Sequence, residues 1–335
     1  MTAALLTFTE KGIFCPAGGF YIDPWRPVER ALITHGHSDH ARWGHQSYLC
    51  THAALPVIRH RLGAITAHGI AYGERRQIGD VTVSFHPAGH VPGSAQIRVE
   101  HRGEVWVVSG DYKVEDDGLS EPFEPLRCTA FISECTFGLP IFQWESQQKV
   151  AADIARWWAE NQAAGQTSIL AAYGLGKAQR LMAMLPDLGP ILTHGAVDDT
   201  TRILRDQGYA IPPTTRIGAG FDIAAHPGAM VIAPPSALGS AWARKLGPHQ
   251  EAFASGWMAL RGIRRRRGYG TGFVISDHAD WPGLNRAIRE TGAEKVFVTH
   301  GYTAPFQRWL TEQGYDAGIV QTEFGSDDTT DEAAE

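Results

Sequence analysis

Six consecutive residues constrain this chain more than any other feature: His35-Gly-His37-Ser-Asp39-His40. They follow the apolar run Ala31-Leu-Ile-Thr34, so they stand where a buried strand ends. In an extended segment residues i and i+2 point the same way, which lets His35 and His37 grip one ion. Asp39 and His40 lie beyond, where the chain can turn and serve a second. Imidazole nitrogen combined with a carboxylate suits zinc, with manganese as the alternative. The competing reading, a solvated polar turn, does not call for four ligand-type residues in six positions.

One motif cannot fill two metal sites, and further ligand types occur in a consistent place. His90 lies in Pro87-Ala-Gly-His90-Val-Pro-Gly-Ser94, and Asp111 ends Ser109-Gly-Asp111 after an apolar run. Glu134 ends Phe131-Ile-Ser-Glu134, His278 ends Ile275-Ser-Asp-His278, and His300 ends Val296-Phe-Val-Thr-His300. In sheet-based enzymes the C-terminal strand edge is where loops gather catalytic groups. Singly, each has a plainer alternative as a capping Asp, a hydrogen-bonded core His or a turn Glu. Together they form a pattern that such alternatives do not produce.

Charge is distributed in a way that suggests two parts with different jobs. The net charge is −6, yet residues 138–270 hold 14 Lys/Arg against 9 Asp/Glu, while the remainder holds 16 against 27. The five acids of residues 326–335 predict a disordered tail. Residues 1–137 read as short strands and turns. Between 146 and 233 strand and helix patterns alternate, which predicts a parallel α/β unit. After Gly270 strand, helix, strand and helix follow again. No apolar run approaches the ~18–20 residues of a membrane span. The N-terminal stretch does not resemble a signal peptide, and the four cysteines form no CxxC pair, so reduced thiols and a cytoplasmic location are expected.

At this point the chain resembles a known family. HGHSDH, the GH of PAGHVPGS and the strand-ending SGD resemble the metallo-β-lactamase fold over residues ~20–137 and ~271–325. Glu134 in ISECTFG, His278 in ISDHAD and His300 in VTHGY are similar to the three further motifs of the β-CASP nucleases. The fold this implies is α/β: a metallo-β-lactamase αββα sandwich over 1–137 plus 271–325, with an inserted parallel α/β β-CASP domain at 138–270. The resemblance also implies ligands. His35, His37, His90 and Asp111 would take one metal, and Asp39, His40, Asp111 and His300 the other, with Asp111 and a hydroxide bridging. Asp23 would orient a ligating His from behind. His278 and Glu134 would be catalytic partners, the His delivering a proton to the leaving oxygen and the carboxylate orienting it.

Other features are weaker. Arg264, Arg265, Arg266 and Arg267, with Arg261, form a basic cluster that could grip phosphates, a solvated hinge being the alternative. Gly174-Leu-Gly-Lys177 lacks the first glycine and the Ser/Thr of a P-loop, which argues against an ATP site. That stretch resembles a helix start of the β-CASP domain, where Lys177 and free N–H groups could meet a backbone phosphate.

Three activities compete: nucleic-acid phosphodiesterase, small-molecule hydrolase and non-catalytic binding protein. The basic insert and the Glu134/His278 pair favour the first, and a full ligand set disfavours the third. His300 leans toward RNA. The segments SECTFG and SDHADWPGL and the Cys15-Pro-Ala-Gly-Gly19 turn resemble the bacterial DNA ligase-associated exonucleases. That resemblance implies a DNA exonuclease acting in repair beside an ATP-dependent ligase and a helicase, with RNA processing as the alternative.

Overall fold

A computed structural model of the chain describes residues 4–262 and 270–320. Arg264 to Arg267 and the acidic tail therefore lie outside the described residues. The chain begins with β1 (Thr7–Thr9), β2 (Gly12–Cys15), β3 (Phe20–Ile22), β4 (Arg30–Leu32), β5 (Ser47–Thr51), α1 (Leu55–Leu62) and β6 (Ala67–Ile70). Next come β7 (Arg76–Ile78), β8 (Val81–Pro87), β9 (Ala95–His101), β10 (Glu104–Val108) and β11 (Ala130–Cys135). The middle holds α2 (Gln147–Ala163), β12 (Thr167–Ala171), α3 (Lys177–Met184), β13 (Ile191–Thr193) and α4 (Gly195–Asp206). It continues with β14 (Thr215–Arg216), β15 (Met230–Ala233), α5 (Ala241–Arg244), β16 (His249–Ala254) and β17 (Thr271–Phe273). Then follow α6 (Trp281–Thr291), β18 (Lys295–Gly301), α7 (Thr303–Glu312) and β19 (Asp316–Ile319).

These elements form two compact units. The first comprises 4–116, 120–143 and 277–320, and the second 117–119, 144–262 and 270–276. The first holds two sheets, β1-β2-β3-β4-β5-β6 and β19-β18-β11-β10-β9-β8-β7. Strand alternation explains the layering. Leu32, Leu49, Val108 and Ile132 enter one core shared by both sheets. Their neighbours point the other way: Ala31, Tyr48 and Cys50 pack with Ile58 of α1, while Val107, Phe131 and Val298 pack with Leu284 of α6 and Phe306 of α7. The order is helix, sheet, sheet, helix. Asp280 caps α6 by accepting from the Gly283 N–H at 2.9 Å, a contribution of about 1 kcal/mol.

Strand direction positions the site. β10, β11 and β18 pair in parallel, and β8 runs the same way, two antiparallel steps from β10. Their C-terminal ends share one edge of the second sheet. In the first sheet β3 and β4 are also parallel, which sets Asp23 and the His35–His40 segment at one edge.

The second unit is a sheet of order β14-β13-β15-β12-β16-β17, parallel throughout. Its limits differ from the expected 138–270. Residues 138–143 stay with the first unit, where the Phe142 carbonyl accepts from the Trp281 N–H at 3.0 Å. Thr271–Phe273 pairs with β16, so that strand completes the second unit's sheet rather than belonging to the first. The charge pattern marks where the basic run stops, whereas strand pairing decides where the unit ends.

Candidate metal centre

His35, His37, His90 and Asp111 each bring one ligand-type atom into a group spanning no more than 4.8 Å, and so do Asp39, His40 and His300. In the first group His37 Nδ1 lies 3.1 Å from His35 Nε2 and 3.0 Å from His90 Nε2. Asp111 Oδ2 lies 3.4 Å from His35 Nε2 and 3.7 Å from His90 Nε2. A tetrahedral ion with bonds of about 2.0–2.2 Å has donor–donor edges of about 3.3–3.6 Å. The spacing is that of a ligand cage.

The second group adjoins the same carboxylate through His40. His40 Nε2 stands 3.4 Å from Asp111 Oδ2 and 3.4 Å from Asp39 Oδ2. This nitrogen is buried and has no hydrogen-bond partner. An orphaned imidazole nitrogen between two carboxylates fits a divalent cation, and so does the mixed N/O donor set.

The opposite ring nitrogens explain why the lone pairs face inward. His40 Nδ1 donates to Asp23 Oδ2 at 2.8 Å, and His90 Nδ1 donates to the Asp277 carbonyl at 2.9 Å. Each bond fixes a tautomer and leaves Nε2 free. Asp23 thus stands behind a ligand-type His, in a left-handed backbone conformation (φ 40°). His300 is the extra residue of a β-bulge: Glu134 pairs with Thr299 and Cys135 with Gly301, leaving His300 unpaired at φ 56°. A bulge re-aims a side chain, here toward Asp39 and His40. Position 301 must be glycine, because a Cβ there would lie 2.3 Å from Thr136 Cα.

Glu134 and His278 meet beside Asp111. His278 Nδ1 lies 2.9 Å from both Glu134 oxygens. Glu134 is itself fixed by the Tyr112 N–H on Oε1 at 2.8 Å and by the Thr136 N–H and hydroxyl on Oε2. The His278 ring sits 4.6 Å from that of His90.

Electrostatics follow from burial and neighbours. Burial holds His90 down to about 3 and, with His40 beside it, pushes His35 well below the ordinary value, so both rings are neutral donors near pH 7. Burial also opposes charge on His40, but Asp39, Asp111 and Asp23 outweigh it and hold its pKa well above 6.5. Burial likewise opposes ionisation of Asp111, and the His40 and His278 rings overcome it and lower its pKa strongly.

Every ligand-type residue singled out in the sequence lies in the first unit and within this assembly. Lys177 does not. It belongs to the second unit, is 1% exposed, and its ammonium lies over the Tyr173 ring at 4.4 Å. The expectation of an open phosphate contact there is corrected: the helix start is packed, not presented. The sequence reading missed Thr34, Thr136 and Thr299. Thr-His-Gly occurs at 34–36 and 299–301 but also at 193–195, outside this assembly, so the tripeptide alone does not mark these residues.

No family model matches the chain. A probable DNA ligase of Opitutus terrae is 32% identical over 316 residues, covering 93% of this chain and 30% of that protein. The RNase aCSPSF2 of Saccharolobus solfataricus is 27% identical over 141 residues, 40% of this chain and 28% of that one. The chain thus spans less than a third of either relative's length. A crystal structure of a protein of unknown function from Enterococcus faecalis V583 superposes with a TM-score of 0.60 at 10% identity, over 87% of this chain and 79% of that one. Fold and site define an α/β protein with clustered metal-ligand residues. The relatives bear out the resemblance recognised from the motifs, to the β-CASP nucleases of the metallo-β-lactamase fold.

Proposed function

We propose that this chain is a metal-dependent phosphodiesterase on nucleic acid, most directly a DNA exonuclease. Its first unit would be the metallo-β-lactamase sandwich and its second unit the β-CASP insert. The observation that carries the reading is the Glu134–His278 pair beside two ligand-type clusters, with Asp111 Oδ2 of the first 3.4 Å from His40 Nε2 of the second. His35, His37, His90 and Asp111 would hold one ion, and Asp39, His40, Asp111 and His300 the other, zinc first and manganese as the alternative. Two such ions lower the pKa of a water and clamp phosphate oxygens. Protein groups do the rest. Asp23 keeps His40 in the ligating tautomer, Asp39 and Asp111 supply the compensating negative charge, and His278, oriented by Glu134, gives its Nε2 proton to the leaving sugar oxygen.

The DNA reading draws on the long match to the relative named a DNA ligase, and a repair role beside a ligase and a helicase belongs to the same proposal. RNA is the second reading, favoured by His300 and by the relative named an RNase. Digestion of end-labelled single-stranded DNA and RNA of one sequence, with each metal in turn, decides between them. Faster release of mononucleotides from DNA is expected. Exclusive cleavage of RNA overturns the DNA reading, and cleavage of neither overturns the phosphodiesterase. Among the described residues no helix is long and apolar enough to cross a membrane.

Cation uptake should expel a proton. Asp39, Asp111 and Asp23 raise the His40 pKa, and the cation needs that ring's Nε2 lone pair. Apparent affinity should therefore fall as pH drops, by about tenfold per pH unit for one proton, and level off above the His40 pKa. Calorimetry in two buffers of different ionisation heat measures this, and equal heats in both would contradict it.

The basic excess of 138–270 is proposed to hold the nucleic-acid backbone, with Arg264 to Arg267 taking part. Changing these four to serine should flatten the salt dependence by about 0.7 in log K per lost phosphate contact on a single strand. KM should rise while metal content stays. An unaltered slope and KM would assign the run to a solvated hinge.

A further inference from the structure

Thr34 touches more of the candidate centre than any single ligand explains. Its hydroxyl donates to Asp23 Oδ2 at 2.5 Å, and its N–H donates to Asp23 Oδ1 at 2.8 Å. The same oxygen lies 3.1 Å from His35 Nδ1, which can donate to it. Asp23 in turn receives the His40 Nδ1 proton. On its far side Thr34 packs against Gly110, the residue before Asp111; a Cβ on Gly110 would come within 2.7 Å of Thr34 Cβ and Oγ1. The residue is 1% exposed. One hydroxyl thus joins a ligand-type His of the first cluster to the carboxylate behind one of the second. Thr299 repeats half of this arrangement, its hydroxyl lying 3.2 Å from His300 Nδ1.

We propose that Thr34 is a positioning residue for both metal sites, holding His35 directly and His40 through Asp23, and that Thr299 serves the second site alone. The inference rests on the two-metal reading above. The chemistry is a relay of donors. The Thr34 proton goes to Asp23, so the hydroxyl oxygen is left to accept from His35 Nδ1, and the His35 Nε2 lone pair must face the cage. Without the hydroxyl the ring can turn over or take the other tautomer, and Asp23 loses one of the donors that aim it at His40. The backbone does not depend on the hydroxyl, since the Thr34 carbonyl is held by the Ala95 N–H at 2.8 Å.

The test is titration of the metal-free full chain with cobalt(II), followed by its visible absorption, for the wild type, Thr34→Val, Thr34→Ser and Thr299→Val. Outer-shell losses of this kind cost about 10–100-fold in metal affinity. Thr34→Val should weaken both equivalents and change both spectra, Thr34→Ser should restore them, and Thr299→Val should weaken only the second. Wild-type affinity and spectrum in Thr34→Val overturn the inference. So does a Thr34→Ser variant as weak as Thr34→Val, which would assign the effect to packing. If Thr34→Val does not fold, Thr299→Val still decides: equal loss at both sites, or at neither, overturns the site-selective relay. A wild-type chain that takes up fewer than two equivalents overturns the two-metal reading and the inference with it, which separates that failure from the others.

Discussion

The His278→Ala variant is expected to keep both metal ions and the fold, and to lose turnover on nucleic acid by about 10²–10⁴-fold. The geometry sets this expectation. His278 Nδ1 faces both oxygens of Glu134 at 2.9 Å, and Glu134 is held by Tyr112 and Thr136, so the ring's other nitrogen is directed rather than free to swing. A group oriented this firmly, next to the cage but outside its donor set, suits delivery of a proton to an alkoxide leaving group. The loss should therefore shrink for a nitrophenyl phosphodiester, whose leaving group needs no proton. Steady-state rates on the two substrates, with metal content measured alongside, check it. An equal loss on both would remove the proton-donor role and leave only positioning.

Asp111→Ala has the largest expected effect of any single substitution. Asp111 Oδ2 lies 3.4 Å from His35 Nε2 and 3.4 Å from His40 Nε2, within reach of a ligand-type His of each cluster. Both equivalents should weaken by more than the ~10–100-fold typical of outer-shell losses, and hydrolysis should fall with them. His300→Ala should mainly weaken the second equivalent. Removing Asp111 also takes away one of the charges that hold the His40 pKa up, so the metal-free variant should lose the His40 proton at lower pH than the parent. Retention of one full-affinity ion in Asp111→Ala would show that the carboxylate is not shared.

Much of the site was legible because its chemistry is local in sequence. His35 to His40 announce themselves by spacing, and His90, Asp111, Glu134, His278 and His300 follow apolar runs or stand at glycine-flanked turns. What the pattern did not contain was the tautomer logic. Asp277 orients His90 through its backbone carbonyl, a contact between residues far apart in sequence that no side-chain motif encodes. The bulge that re-aims His300 comes from pairing between β11 and β18 and cannot be read from either strand alone.

The same distinction applies to the fold. Alternation in the middle of the chain marked the parallel α/β unit, in which α3 spans Lys177–Met184. Helix α4 starts at Gly195, because the His194 ring accepts from the Ala196 N–H and caps it, a role histidine's composition statistics do not advertise. Lys177 was misplaced for a related reason. A basic residue at a helix start reads as available, but burial depends on the tertiary packing around Tyr173.

On the function proposed above, the residues clustered around Asp111 in the first unit would hold two ions. Elemental analysis of the purified, metal-replete chain against protein concentration tests it most directly. Two divalent ions per chain are expected, with hydrolysis of a phosphodiester lost on chelation and regained on their return. One ion or fewer per chain, or hydrolysis that survives complete chelation, would contradict it.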